Sequence, residues 1–373
     1  MQIDSIEIFH LALPLRQPRS TPQGSQDRLE TVLVRVDGGG RSGWGEASPG
    51  NAPLAGAEWA GGVFATIRDW LAPALVGRMI DTAAGLDERL KPFRGNRYAK
   101  AALDAAWWDL KARSEGKPLG AALGGKREAI EVGVSFDQMA TIDDLFSSLR
   151  RAFDEGFSRV ELKLRPGWDL QMLNAVRHQF PTQTIHTDVE GALGLNHTEL
   201  ICRLDDFMLA MVEQPLPADD LVGHAMIQET IRTPVCLDEG ITTPEQAEMA
   251  IDLHSAKYIN IKPGRVGGLT PAVAVHDACH HACIPCYVGA TPQTALGARI
   301  GYALAAKENF SYPADYLASE ELLAVDVAEP LAPVRDPGDG SLRIPLWPEP
   351  GLGIEPDTKV LEKYTLVHAK LNR

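Results

Sequence analysis

Apolar and polar residues alternate along residues 1–47 in the two-residue rhythm of half-buried strands. SIEIFHLAL, ETVLVRV and GWGEA predict three antiparallel strands, with Asp37-Gly38-Gly39-Gly40 as the hairpin turn between the last two. The rhythm then lengthens. Within 97–113, Ala99, Leu103, Ala106 and Leu110 fall at i, i+4, i+7 and i+11, one face of a helix. The glycine-rich PLGAALGGK (118–126) predicts a hinge. From about residue 130 strand and helix alternate: IEVGVSF, a helix over 141–156 with Ile142, Leu145, Phe146, Leu149 and Phe153 on one face, then VELKL. That alternation predicts a parallel α/β sheet. Prolines recur from Pro330 to Pro356 and predict an extended tail that returns to the first domain.

Five apolar runs of the second region end, or nearly end, on a charge: RVELK, TIHTD, LAMVE, PVCLD and YINIK. The charges are Lys163, Asp188, Glu213, Asp238 and Lys262, at intervals of 25, 25, 25 and 24 residues. A strand, a helix and two loops take roughly that length. Five successive strands therefore deliver a charge to one end of the sheet. In an open sheet only strands near the switch point reach a ligand, whereas barrel enzymes draw on many strand ends. The expected fold is a closed parallel β/α barrel preceded by a small α+β domain. The expected division is 1–125 for the α+β domain, 126–320 for the barrel and 321–373 for a C-terminal segment that returns to the first domain.

The chain has 373 residues, 45% apolar and 23% charged, which is ordinary for a globular protein. Its net charge of −14 argues against nucleic acid or an anionic membrane as partner. Asp4 and Glu7 replace the basic start of a signal peptide, and no apolar run reaches the roughly 18 residues of a spanning helix, so a cytoplasmic location is expected. Cys279, Cys283 and Cys286 lie with His280 and His281, yet a second ligand pair is missing, and structural packing is the expectation for them.

Asp188, Glu213 and Asp238 offer only oxygen ligands, which suit Mg²⁺ first and Mn²⁺ second. Lys163 and Lys262 flank them on strands across the barrel from each other. The expected chemistry is removal of the proton α to a substrate carboxylate, with the metal stabilising the enediolate. The expected partner is a small carboxylate, and a homo-oligomer is expected.

The chain also resembles the enolase superfamily, within the muconate lactonizing enzyme subgroup, and most closely the o-succinylbenzoate synthases and N-acylamino acid racemases. The resemblance rests on GWGEASP (43–49), ELKLRPGWD (161–169), VEQPL (212–216), TPVCLDEG (233–240), NIKPGRVGGL (260–269) and PGLGIEPD (350–357). It implies the capped (β/α)7β barrel, Mg²⁺ at Asp188, Glu213 and Asp238, and catalytic Lys163 and Lys262. In the synthases the residue matching Lys163 takes the α-proton and returns it to the leaving hydroxide. In the racemases the two lysines work on opposite faces.

The chain departs from its relatives at three places. The first position of their K-x-K motif is Glu161, which should face the same way as Lys163 and raise its pKa. Glu190 stands where relatives carry Asn. Thr291 and Gln293 stand in the Met and Glu places of a G-G-M-x-E segment. Glu239, beside Asp238, joins Glu161, Glu190 and Gln293 as residues expected around the site. Capping-domain loops near 15–30 and 48–58 are expected to choose the substrate, with Arg16, Arg19 and Arg28 able to meet a distal carboxylate. The leading expectation is o-succinylbenzoate synthase. The alternatives are an N-acylamino acid racemase, another epimerase or cycloisomerase of the subgroup, and a non-catalytic metal-binding protein on the same scaffold.

Overall fold

The computed structural model describes residues 1–21, 24–54, 56–165 and 167–373. Strands β1 (Ser5–Thr21), β2 (Gly24–Gly38) and β3 (Arg41–Ala47) form an antiparallel sheet, and the C-terminal strand Thr365–Asn372 adds to the outer edge of β1. The β2–β3 turn closes on Gly39 and Gly40, whose φ values of 58° and 75° are left-handed. Helix Arg97–Glu115 lies across this sheet with Ala99, Leu103, Ala106 and Leu110 all buried. It packs so closely that a Cβ on Gly45 would lie 2.1 Å from the Ala102 carbonyl oxygen. Glycine in GWGEA is thus a packing requirement.

The structure revises the expectation of a loop at 15–30. Pairing of β1 with β2 shifts register between Pro14 and Arg19, then resumes as Arg19 opposite Gln26. Proline has no N–H to give a ladder, so Pro14 and Pro18 interrupt the pairing without ending it. The segment is an extension of the β-hairpin; residues 22 and 23, and residue 55 of the other expected loop, lie outside the described residues.

The second region is a parallel sheet in chain order: β4 (Ala129–Phe136), β5 (Val160–Lys163), β6 (Ile185–Asp188), β7 (Val212–Glu213), β8 (Val235–Leu237), β9 (Tyr258–Ile261) and β10 (Cys286–Val288). A short β11 (Ala314–Asp315) pairs in parallel with β4, making the eighth strand. The tail supplies Val334–Arg335 and Leu342–Pro345, the latter antiparallel to β4. It is not wholly extended, since Thr358–Tyr364 forms a helix before the last strand. Among the described residues, no helix is long and apolar enough to cross a membrane.

Buried carboxylates tie the cap to the barrel. Asp104, on helix Arg97–Glu115, accepts from the Thr270 N–H at 3.0 Å and the Thr270 hydroxyl at 2.5 Å. Glu46, on β3, accepts from the N–H of Thr294 at 3.1 Å, from its hydroxyl, and from Thr31 at 2.9 Å. Asp109 accepts from the N–H groups of Trp44 and Leu352, at 2.8 and 2.6 Å, so it pins the tail.

Burial pushes the Asp104 carboxyl up to about 6 against the hydrogen bonds from Thr270. An acid whose pKa rises on folding stabilises the fold most below its unfolded value, near 4, and loses that contribution as pH climbs through about 6. Replacing Asp104 by Asn removes this dependence. The stability difference between Asp104→Asn and wild type should therefore move in the variant's favour by about 3 kcal/mol from pH 4 to pH 7. Urea denaturation across that range checks it, and a pH-independent difference contradicts it.

Candidate active site

Parallel register places the charged residues on one rim. Lys163 is paired with Asp188 across β5–β6, and Asp188 with Glu213 across β6–β7. Asp238 and Lys262 each follow the last residue of their strands, Leu237 and Ile261. The apolar residues between the charges, Leu162, Val212, Leu237 and Ile261, are buried.

The ammonium of Lys163 is surrounded by acids, with Asp188 at 2.5 Å, Glu161 at 2.9 Å and Glu190 at 3.1 Å. Burial opposes its charge, yet these carboxylates outweigh burial and hold its pKa well above the ordinary lysine value. Glu161 does sit beside Lys163, and its own environment is unusual. It accepts from Ser135 at 2.9 Å and lies 3.8 Å from the fully buried guanidinium of Arg159. Burial disfavours its charge, but Lys163, His186 and Arg159 together hold it well below the carboxylate range.

Across the barrel, Lys262 donates to Asp238 at 2.8 Å, and Arg265 takes the other oxygen of Asp238 at 2.5 Å. Against burial, these two cations keep Asp238 low, and Asp238 keeps Lys262 high. Asp188 goes the other way. Burial raises it, and the like charge of Glu213 raises it further. Glu239, half-buried beside Asp238, is pushed up to about 7 by burial and by that neighbouring charge.

Glu213 accepts from Asn260 at 2.8 Å and from the Tyr287 hydroxyl. It also approaches Glu161 and His186, and one ligand atom from each of the three lies within 4.8 Å of the others. With the fold, this buried group points to a divalent metal site. Asp188 and Asp238 lie on the same rim, where each takes a lysine.

Gln293 and Thr291 line a cavity with Lys262, Arg265, Tyr98, Ser48 and Glu46, at the junction of cap and barrel. Arg16 and Arg19 are exposed, and neither lines that cavity; Arg16 donates to the Glu320 carbonyl at 2.5 Å. Glu190, at φ 52°, is bound by Arg165 at 2.8 Å as well as by Lys163. Pro166, within the motif of Lys163, lies outside the described residues.

Several site residues are not singled out by the strand-end spacing. Glu161, His186, Met211, Cys236 and Asn260 form the layer beneath the rim, all buried. Each stands two positions before one of the five charges, so strand alternation alone could have located them. Arg159 lies two positions deeper still. Tyr287, Tyr312 and Arg265 carry no such signal; they arrive from β10, the approach to β11 and a turn after β9.

A parallel barrel with five charges on its rim, capped by an antiparallel domain, defines an enolase-superfamily enzyme. Residues 4–124 match the mandelate racemase / muconate lactonizing enzyme N-terminal domain, and residues 144–360 the enolase C-terminal domain-like family, so the chain belongs to that family. Its relatives include an o-succinylbenzoate synthase of Geobacillus kaustophilus, 38% identical over 98% of this chain and 96% of that protein. An N-succinylamino acid racemase of Amycolatopsis sp. is 36% identical over 98% of each. A crystal structure of an enolase superfamily member from Listeria innocua superposes with a TM-score of 0.93 at 31% identity, covering 100% of this chain and 99% of that one.

The charge balance around Lys163 is testable. Lys163→Met leaves Glu161, Asp188 and Glu190 without their shared cation. Removing one partner from such a cluster should cost about 3 kcal/mol of stability at neutral pH without added metal. Added Mg²⁺ should recover more stability in the variant than it adds to wild type. Urea midpoints with and without Mg²⁺ measure both effects, and equal Mg²⁺ responses would contradict this account.

Proposed function

We propose that this enzyme removes the proton α to the carboxylate of a small substrate, and that its reaction is the dehydration catalysed by o-succinylbenzoate synthases. The observation that carries the reading is the pair Lys163 and Lys262, held on one rim at the ends of strands across the barrel from each other, with Asp188, Glu213 and Asp238 on the strand ends between them. The Geobacillus relative, similar over nearly the whole chain, supports the specific reaction.

The donor chemistry fits the expected Mg²⁺. Asp188, Glu213 and Asp238 supply oxygen only, and the raised pKa of Asp188 reflects burial and then the charge of Glu213, a crowding that a cation relieves. A divalent ion held by these three would supply positive charge to a developing enediolate and lower the pKa of the nearby lysines. The protein's part is positional. Lys163 takes the α-proton and returns it to the leaving hydroxide, while Glu161 and Glu190 hold its Nζ in place. Both carboxylates also resist its deprotonation, and a divalent ion held beside it would counter them. Lys262, anchored by Asp238, faces the enediolate from the other side. Gln293, Thr291 and Ser48 line the cavity beside Lys262 and supply neutral polar contacts to the substrate.

The Amycolatopsis relative favours a second reading, racemisation of an N-succinylamino acid by the same lysines. Assembly into a homo-oligomer belongs to the same proposal. Exposed Val222 and Met226 on one barrel helix, and Met249 and Leu253 at the end of the next, offer apolar surface for it.

Incubation with Mg²⁺ in deuterium oxide tests these readings. Dehydration of the cyclohexadiene precursor of o-succinylbenzoate, followed by absorbance, is expected, with a loss of about 10²-fold or more in Lys163→Ala. Racemisation of N-succinyl amino acids with deuterium uptake by NMR would favour the second reading. Silence on both, with Lys163→Ala indistinguishable from wild type, would overturn the proposal.

A further inference from the structure

Beneath the rim, three donor atoms converge in the barrel interior. His186 Nε2 lies 3.4 Å from Glu161 Oε2 and 3.5 Å from Glu213 Oε2. All three side chains are almost wholly buried. Nε2 has no hydrogen-bond partner among the described residues. The other ring nitrogen, Nδ1, lies 3.0 Å from the Tyr312 hydroxyl, so the imidazole is held with Nε2 aimed at the two carboxylates. A metal-ligating histidine is ordinarily braced in this way through its outer nitrogen.

We infer that Glu161, His186 and Glu213 form a second cation site, deeper than the three-carboxylate rim and sharing Glu213 with it, and that it takes a divalent transition ion of the zinc type. The ligand set separates the two positions. The rim offers oxygen alone, whereas one imidazole with two carboxylates suits zinc and its neighbours. The two separations from Nε2 match a tetrahedral ion, whose ligands about 2.1 Å away lie about 3.4 Å apart, against about 3.0 Å around an octahedral one, and the two carboxylate oxygens lie within 4.8 Å of each other. Three protein ligands leave one tetrahedral position for water.

The remaining oxygens are already engaged. Glu161 Oε1 faces Lys163 and Ser135, and Glu213 Oε1 accepts from Asn260. Two groups border the donor atoms on the remaining sides. The Tyr287 hydroxyl donates to Glu213 Oε2. Arg159 Nη1 lies 3.8 Å from Glu161 Oε2 and has no hydrogen-bond partner among the described residues, while Nη2 of the same guanidinium is held by Asp315 and the Pro313 carbonyl and the group lies over the rings of Tyr287 and Tyr312. The rival occupant is a proton on Nε2. Burial opposes a charge on the ring while Glu161 and Glu213 favour it, and a protein that holds this proton in place of an ion would show no tight cobalt uptake.

Cobalt(II) is the probe, because its visible absorption is intense in tetrahedral and weak in octahedral surroundings. With the full-length protein held in excess Mg²⁺, titration with Co²⁺ should give one equivalent of tight uptake with the intense band. His186→Gln and Glu161→Gln should weaken that uptake at least 10-fold while the fold, checked by circular dichroism, stands. Zinc should compete the cobalt band away in wild type. A wild type that shows only the weak octahedral band, or no uptake, overturns the inference, as does an intense band that survives both substitutions. If His186→Gln fails to fold, Glu161→Gln decides. None of these readouts depends on turnover, so failure here leaves the proposed reaction standing.

Discussion

Charges brought to the mouth of a closed barrel have little water to answer them, so they must answer one another. That constraint organises this site. Lys163 is shared by three acids, Lys262 and Arg265 divide the two oxygens of Asp238, and Glu213 is held by neutral donors from Asn260 and Tyr287. Burying a charge without a partner costs several kcal/mol, so each of these side chains has a settled orientation before any ligand arrives. Such preorganisation is what electrostatic catalysis requires.

The same rule shapes the join between the two domains. Asp104 and Glu46 come from the cap, yet their hydrogen-bond donors, Thr270 and Thr294, belong to barrel segments that follow β9 and β10. Those segments border the cavity beside Lys262. The cap is therefore anchored to the loops it must cover. Asp109 performs the equivalent service for the tail through the Leu352 N–H, which brings the chain's end back to β1.

Much of this was legible beforehand. A 25-residue interval between charged strand ends survives folding because each β/α unit adds one strand and one return helix, and parallel pairing keeps neighbouring ends level. The face of helix Arg97–Glu115 was readable because helical periodicity depends on local geometry alone. The long β1–β2 arm was not readable, since its prolines suggest a loop and only pairing across the hairpin shows that the ladder resumes at Arg19. Likewise Arg16 and Arg19 carry suitable charge, but their position relative to the cavity depends on how far the arm extends.

By itself, then, the sequence determined which residues reach the barrel mouth, because strand period and unit length are local properties. It also determined that Glu161 would stand beside Lys163, since residues two apart on a strand share a face. Only the tertiary structure decided how those charges are balanced. Arg265, Tyr287 and Tyr312 meet the charged residues and the layer beneath them from segments whose separation along the chain carries no period. Their contacts exist because barrel closure brings distant segments into one small volume, where unpaired charge is too costly to leave.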